Sequence, residues 1–238
     1  MASPEVPLGS PVDARARDSA TRFMREEPPD RGPHDPGERL GRFHTGRGPM
    51  PISGWIHYPA AWWRARRGQT PDRPWIVPAA IGWLRRRIRR DWSILELGAG
   101  RSTAWFARRA HRVLSFEDNQ FWFEATSEQL SRSGLLNVDL RFRSVEDFPR
   151  EVAGLPHAAF DLVVIDFLES PEVTRVDGLR PAREKVRPGG YLLLDDSDRP
   201  SYAKADDLLA GWRRKRFTGV KDAWPEVCET TIFRRPRK

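Results

Sequence analysis

Two hydrophobic rhythms alternate along the chain from Ser93 to Arg235. SILELG (93–98), RVLSFE (112–117), VDLRFRS (138–144), FDLVVID (160–166) and YLLLDD (191–196) are short runs rich in Val, Ile, Leu and Phe. Such runs, bounded by polar residues or glycine, are the signature of strands. FDLVVID is almost continuously apolar, as a strand covered on both faces must be. Between these runs lie stretches with helical spacing: STAWFARRA, FWFEATSEQL, a segment through Arg180 to Lys185 that ends at RPGG, and SYAKADDLLAGW. RFTGV and ETTIFRR are predicted as the last strands. Upstream, Val77, Ile81, Leu84 and Ile88 recur at steps of four, three and four, which predicts a helix from Pro74. Strands alternating with helices predict an α/β domain with a doubly wound, mostly parallel sheet and helices on both faces.

The first fifty residues have neither rhythm. Nine of the 21 prolines fall at or before Pro51, and charges outnumber aliphatic side chains. Too little apolar surface is present to offset the entropy of ordering, so residues 1–50 are expected to be a disordered tail. Residues 51–73, PISGWIHYPAAWWRARRGQTPDR, crowd Trp55, Tyr58, Trp62 and Trp63 among arginines. This segment reads either as a flap packed on the main domain or as a lid whose rings and cations meet a substrate. Residues 74–238 form the main domain in this reading.

Composition narrows the classes. The longest apolar stretch, WIVPAAIGWL, is too short to span a bilayer and contains Pro78. The N-terminus lacks the basic-then-apolar order of a secretory signal. The single cysteine, Cys228, cannot form an internal disulfide, so a cytoplasmic setting is expected. The net charge is +8, and its excess lies in residues 64–90 and 213–238, because eight arginines balance eight acids in the first fifty residues. Clustered arginines suit nucleic acid, or equally a phosphorylated or acidic small substrate.

The chemistry begins at ELGAGRST. In a doubly wound sheet a ligand sits beyond the carboxyl ends of the strands, where the strand order reverses. Gly98 and Gly100 follow the first strand, where a missing Cβ permits a tight turn and close approach of a ligand. Ser102 or Thr103 can cap the next helix. Glu117 ends the second strand, nineteen residues after Gly98, in the place of a carboxylate that accepts two ribose hydroxyls. The dinucleotide pattern GxGxxG is broken, because Thr103 stands at the third glycine position. Glu96 would repel a pyrophosphate but could hold a ligand ammonium. Three further acids, Asp166, Asp195 and Asp196, end the fourth and fifth strands, which adjacency brings together.

An acid, then GxG, then an acid at the second strand tip resembles the class I S-adenosylmethionine-dependent methyltransferases. FDLVVID is similar to that family's fourth strand and VRPGGYLLLDDS to its fifth with the preceding turn. The resemblance spans Pro74 to Arg235, and ELGAGRST resembles a bacterial subgroup with a Gly-Ser-Thr-rich first turn. It implies a seven-stranded Rossmann-like sheet and S-adenosyl-L-methionine as the cofactor. It also implies that Glu96, Gly98, Gly100, Ser102 and Thr103 surround the methionine and ribose, that Glu117 binds the ribose hydroxyls, and that Ser144, Val145 and Glu146 frame the adenine. Asp166 would lie near the sulfonium.

The acids also resemble those of catechol O-methyltransferase-like enzymes. That implies Mg2+ held by Asp166, Asp195 and Asp196, hard oxygen ligands suited to the ion. Phe167-Leu168-Glu169 departs from the polar loop of those enzymes. The metal-free alternative keeps Asp166 near the sulfonium and makes Asp195 a base or a structural cap. His57, in the aromatic segment, is another candidate base. His111 precedes the second strand, away from this end, and Cys228 reads as a small buried apolar residue. The expected activity is methyl transfer to oxygen of a small molecule or sugar by a protein that needs no membrane. A homodimer is admitted. The alternatives are an RNA methyltransferase, a non-catalytic scaffold that keeps the fold, and a nicotinamide-dependent oxidoreductase disfavoured by Thr103.

Overall fold

The computed structural model describes residues 44–45, 48–67, 72–222 and 224–237. Most of the expected tail, residues 1–50, lies outside the described residues. In chain order the elements are β1 (His44–Thr45), β2 (Gly48–Pro49), α1 (Ile52–Trp55), α2 (Tyr58–Arg66), α3 (Pro78–Arg85), β3 (Ser93–Leu97), α4 (Arg101–Ala107), β4 (Arg112–Glu117), α5 (Gln120–Arg132), β5 (Val138–Phe142), α6 (Phe148–Ala153), β6 (Phe160–Ile165), α7 (Arg175–Lys185), β7 (Val186–Leu194), α8 (Lys204–Leu208), β8 (Arg213–Lys221) and β9 (Trp224–Arg234). The main sheet has seven strands in the order β5-β4-β3-β6-β7-β9-β8. It is parallel from β5 through β7, and β9 runs antiparallel to both its neighbours.

Period-two alternation divides the apolar strand residues between two layers. Ile94, Leu162, Val164 and Leu193 pack on one side with Leu84, Trp105 and Phe106. Leu95, Leu97, Val163, Ile165 and Leu192 pack on the other with Phe148, Val176 and Leu179. The sheet is therefore covered on both faces, as the continuous apolar run of β6 requires.

The strand order reverses between β3 and β6. The chain leaves β3 toward β4 and β5, then returns to place β6 on the other side of β3. The reversal opens a crevice at the carboxyl ends of these strands. Since β8 is antiparallel to β9, which is antiparallel to β7, the last residue of β8, Lys221, arrives at this same edge.

Some element bounds differ from those expected. The helix predicted from Pro74 starts only at Pro78, where a missing N–H is harmless and the fixed φ is helical. It ends at Arg85, leaving Ile88 outside the helix but packed against the same cluster. The RPGG stretch is not a simple turn. It lies within β7, where the register with β6 jumps from Phe160↔Val186 to Leu162↔Tyr191 and Gly189 takes φ +78°. SYAKADDLLAGW is a 3-10 turn at Pro200–Tyr202 followed by the short α8.

The aromatic segment forms α1 and α2, which pack against β8 and β9. Met50, Ala61, Val220 and Val227 form a small core there with Tyr58. Asp222, at the β8–β9 turn, receives Arg64 Nη1 and Arg73 Nε, each at 2.5 Å, and its carbonyl accepts Trp75 Nε1 at 2.7 Å.

Phe148 ties the core to the crevice. It is fully buried, with ring centroids 6.0 Å from Phe116 and 5.3 Å from Phe167, which follow or end the strands that open it. Phe148→Ala is expected to destabilise the fold by about 3–5 kcal/mol, read from urea unfolding. A loss within error would show that this layer does not support the strand ends.

Candidate active site

The site grows from the end of β3. Gly98 has φ +93°, a region that L side chains rarely adopt. A Cβ on it would stand 2.3 Å from the Asp166 carbonyl oxygen and 2.8 Å from Phe167 Cα. The turn can therefore lie against the end of β6 only as glycine. Backbone hydrogen bonds close the junction: Asp166 N–H donates to Leu97 O and Gly98 N–H to Phe116 O, both at 2.9 Å. Gly100 differs, since a Cβ there would meet nothing within 4 Å. Its side-chain position faces open space.

Glu96 is wholly buried behind this turn. Strand register puts Ser115 beside it, and the first turn of α4 brings Thr103. Ser115 Oγ donates to Glu96 Oε2 at 2.7 Å and Thr103 Oγ1 at 2.6 Å. Thr103 Oγ1 also accepts the Gly100 N–H at 3.0 Å; the N-cap is Gly100 rather than Ser102 or Thr103, and Thr103 reaches back to it from the third helical position. The residue that breaks the dinucleotide pattern thus braces the glycine turn against Glu96. Burial holds the Glu96 carboxyl above its ordinary range, against the pull of the surrounding hydroxyls. Glu96 Oε1 is buried with no hydrogen-bond partner among the described residues.

Glu117, at the end of the neighbouring strand, is almost completely buried. Its Oε1 accepts the Asn119 N–H at 2.9 Å. Burial pushes its pKa up to about 8, assisted by Asp118 and opposed by the backbone N–H groups of Asn119 and Ala99. After β5, Val145 enters the core, while Ser144 Oγ donates to the exposed Glu146, whose carboxyl it holds below the usual range. The residues expected around a nucleoside thus follow three adjacent strands, β3, β4 and β5, at one edge of the sheet. An open glycine turn, an orphaned carboxylate oxygen and a desolvated acid at the second strand tip fit S-adenosylmethionine.

The magnesium expectation does not fit. Asp195 is fully buried, its Oδ1 accepting from Thr230 Oγ1 at 2.6 Å and its Oδ2 bound by Lys221 Nζ. Asp196 Oδ1 accepts from Lys221 Nζ at 2.7 Å and its Oδ2 from Arg199 Nη2 at 3.0 Å. Asp166 Oδ1 meets Arg175 Nη2 at 3.0 Å. Asp166, Asp195 and Asp196 thus already face cations, and no acid, histidine or cysteine group among the described residues has the arrangement to hold a metal ion. Lys221 and Arg175 hold Asp196 far below the carboxylate range, against the effect of burial.

Asp166 is the acid of the three with most access to solvent, its side chain 25% exposed against 0% for Asp195. Burial and the like charge of Asp195 push its pKa up to about 8, with Arg175 and Lys221 opposing. Arg175 also donates Nε to Phe167 O at 2.8 Å and Nη1 to Asp195 O at 2.9 Å, while its N–H reaches Glu169 Oε1 at 2.7 Å. Sequence reasoning missed Arg175, Arg199 and Lys221. His57 is exposed in the turn between α1 and α2, and no described contact takes it to Asp166 or Asp195. Cys228 is buried and its thiol is pushed up by that burial.

Residues 95–197, from β3 to just past β7, match a family model described as a methyltransferase domain. Over that span the chain is similar to a methyltransferase domain. The chain is 28% identical over 169 residues to protein-L-isoaspartate O-methyltransferase 1 of Polaromonas sp., covering 66% of this chain. It spans 65% of that relative's length. Solved structures share the fold. A proposed O-methyltransferase of Klebsiella pneumoniae aligns with a TM-score of 0.56 at 17% identity, over 97% of this chain and 92% of that one. The O-methyltransferase TomG of Streptomyces achromogenes, solved with S-adenosylmethionine, gives 0.53 at 22% identity, over 75% and 88%. An rRNA methylase of Streptococcus thermophilus gives 0.52 at 14% identity, over 65% and 93%.

The glycine turn makes one demand that can be measured. Gly98→Ala forces a clash with the β6 end and a positive φ on a residue with a Cβ. It is expected to lower stability by about 2–4 kcal/mol in denaturant unfolding. Gly100→Ala, with open space at its Cβ, is expected to leave stability within about 1 kcal/mol of wild type. Equal losses at the two glycines would contradict the assignment.

Proposed function

We propose that this protein is a methyltransferase that carries the methyl group of S-adenosylmethionine to an oxygen of a small molecule or sugar, with Asp166 as the proton acceptor. The observation that carries the reading is the position of Asp166. It stands where the strand order reverses, beside the glycine turn, and is the strand-tip acid most open to solvent. Three similar proteins named for O-methylation support oxygen as the acceptor atom, one by sequence, whose name specifies a protein acceptor, and two by fold.

When bound, S-adenosylmethionine supplies a sulfonium-activated methyl that needs little further activation. The chain's own residues then orient and exclude water. Glu117 accepts the ribose hydroxyls, Ser144, Val145 and Glu146 frame the adenine, and Glu96 with Ser102 and Thr103 holds the methionine end beside Gly98 and Gly100. Asp166 takes the proton of an acceptor hydroxyl as the oxygen attacks in line. A base with a pKa near 8 is matched to that work: high enough to draw a proton, and ionised near neutral pH in useful fraction. Asp195 moves from candidate base to structural anchor, since both its carboxylate oxygens are engaged. His57 remains a candidate only if the aromatic segment brings it over the crevice.

One observation favours RNA as a second reading. Burial lowers the Arg109 pKa, and the nearby charges of Arg85, Arg108 and Arg90 lower it further, with Asp72 opposing. Phosphates would offset those charges, and such binding would weaken steeply with salt.

A transfer assay separates these acceptors. S-adenosylmethionine labelled in its methyl group is offered with pooled hydroxylated metabolites, with RNA and with protein. Label is expected in the small-molecule pool, at a rate that rises with pH through about 8 as Asp166 ionises. Asp166→Asn is expected to lower that rate about 100-fold or more. Label confined to RNA or protein, or an undiminished Asp166→Asn enzyme, would overturn the reading.

A further inference from the structure

Among the six carboxylate oxygens of Asp166, Asp195 and Asp196, five already have an ion-pair or hydrogen-bond partner: Arg175 on the first acid, Thr230 and Lys221 on the second, Lys221 and Arg199 on the third. Even the Asp195 carbonyl is taken, by Arg175 Nη1. A magnesium-type ion needs near-octahedral oxygens at about 2.0–2.1 Å, and here those oxygens point at nitrogen. Lys221 Nζ binds Asp195 and Asp196 at once, so it stands between them. Its side chain is 6% exposed, and burial of an ammonium is tolerated only because these acids compensate it.

We propose that the chain supplies its own cation here: Lys221, supported by Arg175, takes the place between the strand-tip acids that a divalent ion fills in metal-dependent O-methyltransferases, so that this site works without a metal. Lys221 is a positioning residue. It touches Asp195 and Asp196 and, through their charge, the Asp166 that faces the crevice. A single positive charge on a long side chain replaces a removable ion, and it arrives from the β8–β9 hairpin. The next residue, Asp222, holds Arg64 and Arg73 of the aromatic segment. The hairpin turn therefore grips the acids with one residue and the aromatic segment with the next.

The proposal rests on the reading that the strand-tip acids belong to the methyl-transfer site. Its test reads the cation alone, so failure here leaves that reading standing. Manganese is titrated into the full-length protein and followed by electron paramagnetic resonance, which loses the free-ion signal on binding. Wild type and Lys221→Arg are expected to take up no site-bound manganese in the millimolar range. Lys221→Met, which frees one oxygen each of Asp195 and Asp196 beside the unengaged oxygen of Asp166, is expected to bind one ion per chain at least about tenfold more tightly than wild type, and adding Asp196→Asn should abolish it. Lys221→Gln is the second variant should the methionine fail to fold. A variant that folds only when manganese is present supports the exchange of ion for side chain, and one that stays unfolded with manganese counts against it. Manganese bound by wild type and lost in Asp196→Asn would overturn the proposal outright, as would folded Lys221 variants that bind none.

Discussion

Carboxylates buried at the strand ends must be neutralised, and much of the architecture around the crevice follows from how this chain does it. Asp166, Asp195, Asp196 and Glu169 converge where β6 and β7 finish, opposed by Arg175, Lys221 and Arg199. Four acids face three cations. Burial, reinforced by the negative charge of Asp195, pushes the Asp166 pKa up to about 8, with Arg175 and Lys221 opposing. The same cations organise backbone. Arg175 pins the loop after β6 through Phe167 and Glu169, and Lys221 locks the end of β8 to the end of β7. Removing one partner of such a buried set leaves an uncompensated charge, typically worth about 3–5 kcal/mol, so loop positions and site charge stand or fall together.

The second constraint is the approach of β3 to β6. The Gly98 turn rests directly on the Asp166–Phe167 backbone, and a side chain at Gly98 would push the two strand ends apart. Behind the turn, Thr103 bridges Gly100 and the buried Glu96. A threonine there trades the close helix packing of a third glycine for a polar brace. That difference separates this turn from a pyrophosphate loop on physical grounds: a buried carboxylate stands where a diphosphate would bring further negative charge.

What could be read from sequence divides by range. The strands of the parallel half carry apolar alternation and bounding turns within a few residues, and their order of appearance already implied the two-faced sheet. Gly98, Gly100, Glu96 and Glu117 sit at fixed local offsets, so their convergence was legible too. The cations were not. Lys221 lies 26 and 25 residues from its partners Asp195 and Asp196, on a hairpin whose register no local pattern fixes. Without them, three clustered acids left a magnesium site open beside the metal-free alternative. Arg175 did leave a trace: it is a cation set between Val173 and the apolar Val176 and Leu179 of a helix face that enters the core. Helix bounds failed where proline or a register jump intervened, at Pro78 and across RPGG.

The central claim is that the crevice at the ends of β3, β4 and β5 holds S-adenosylmethionine through Glu117. Calorimetric titration with the product, S-adenosylhomocysteine, tests it most directly, on wild type and Glu117→Gln at pH 7 and pH 9. A carboxyl that titrates at about 8 in the free protein must ionise to accept two ribose hydroxyls. Wild type is therefore expected to bind at one site and to tighten by about tenfold between the two pH values, with Glu117→Gln weak at both. A well-folded wild type without saturable binding, or a Glu117→Gln variant that binds equally well, would contradict the account.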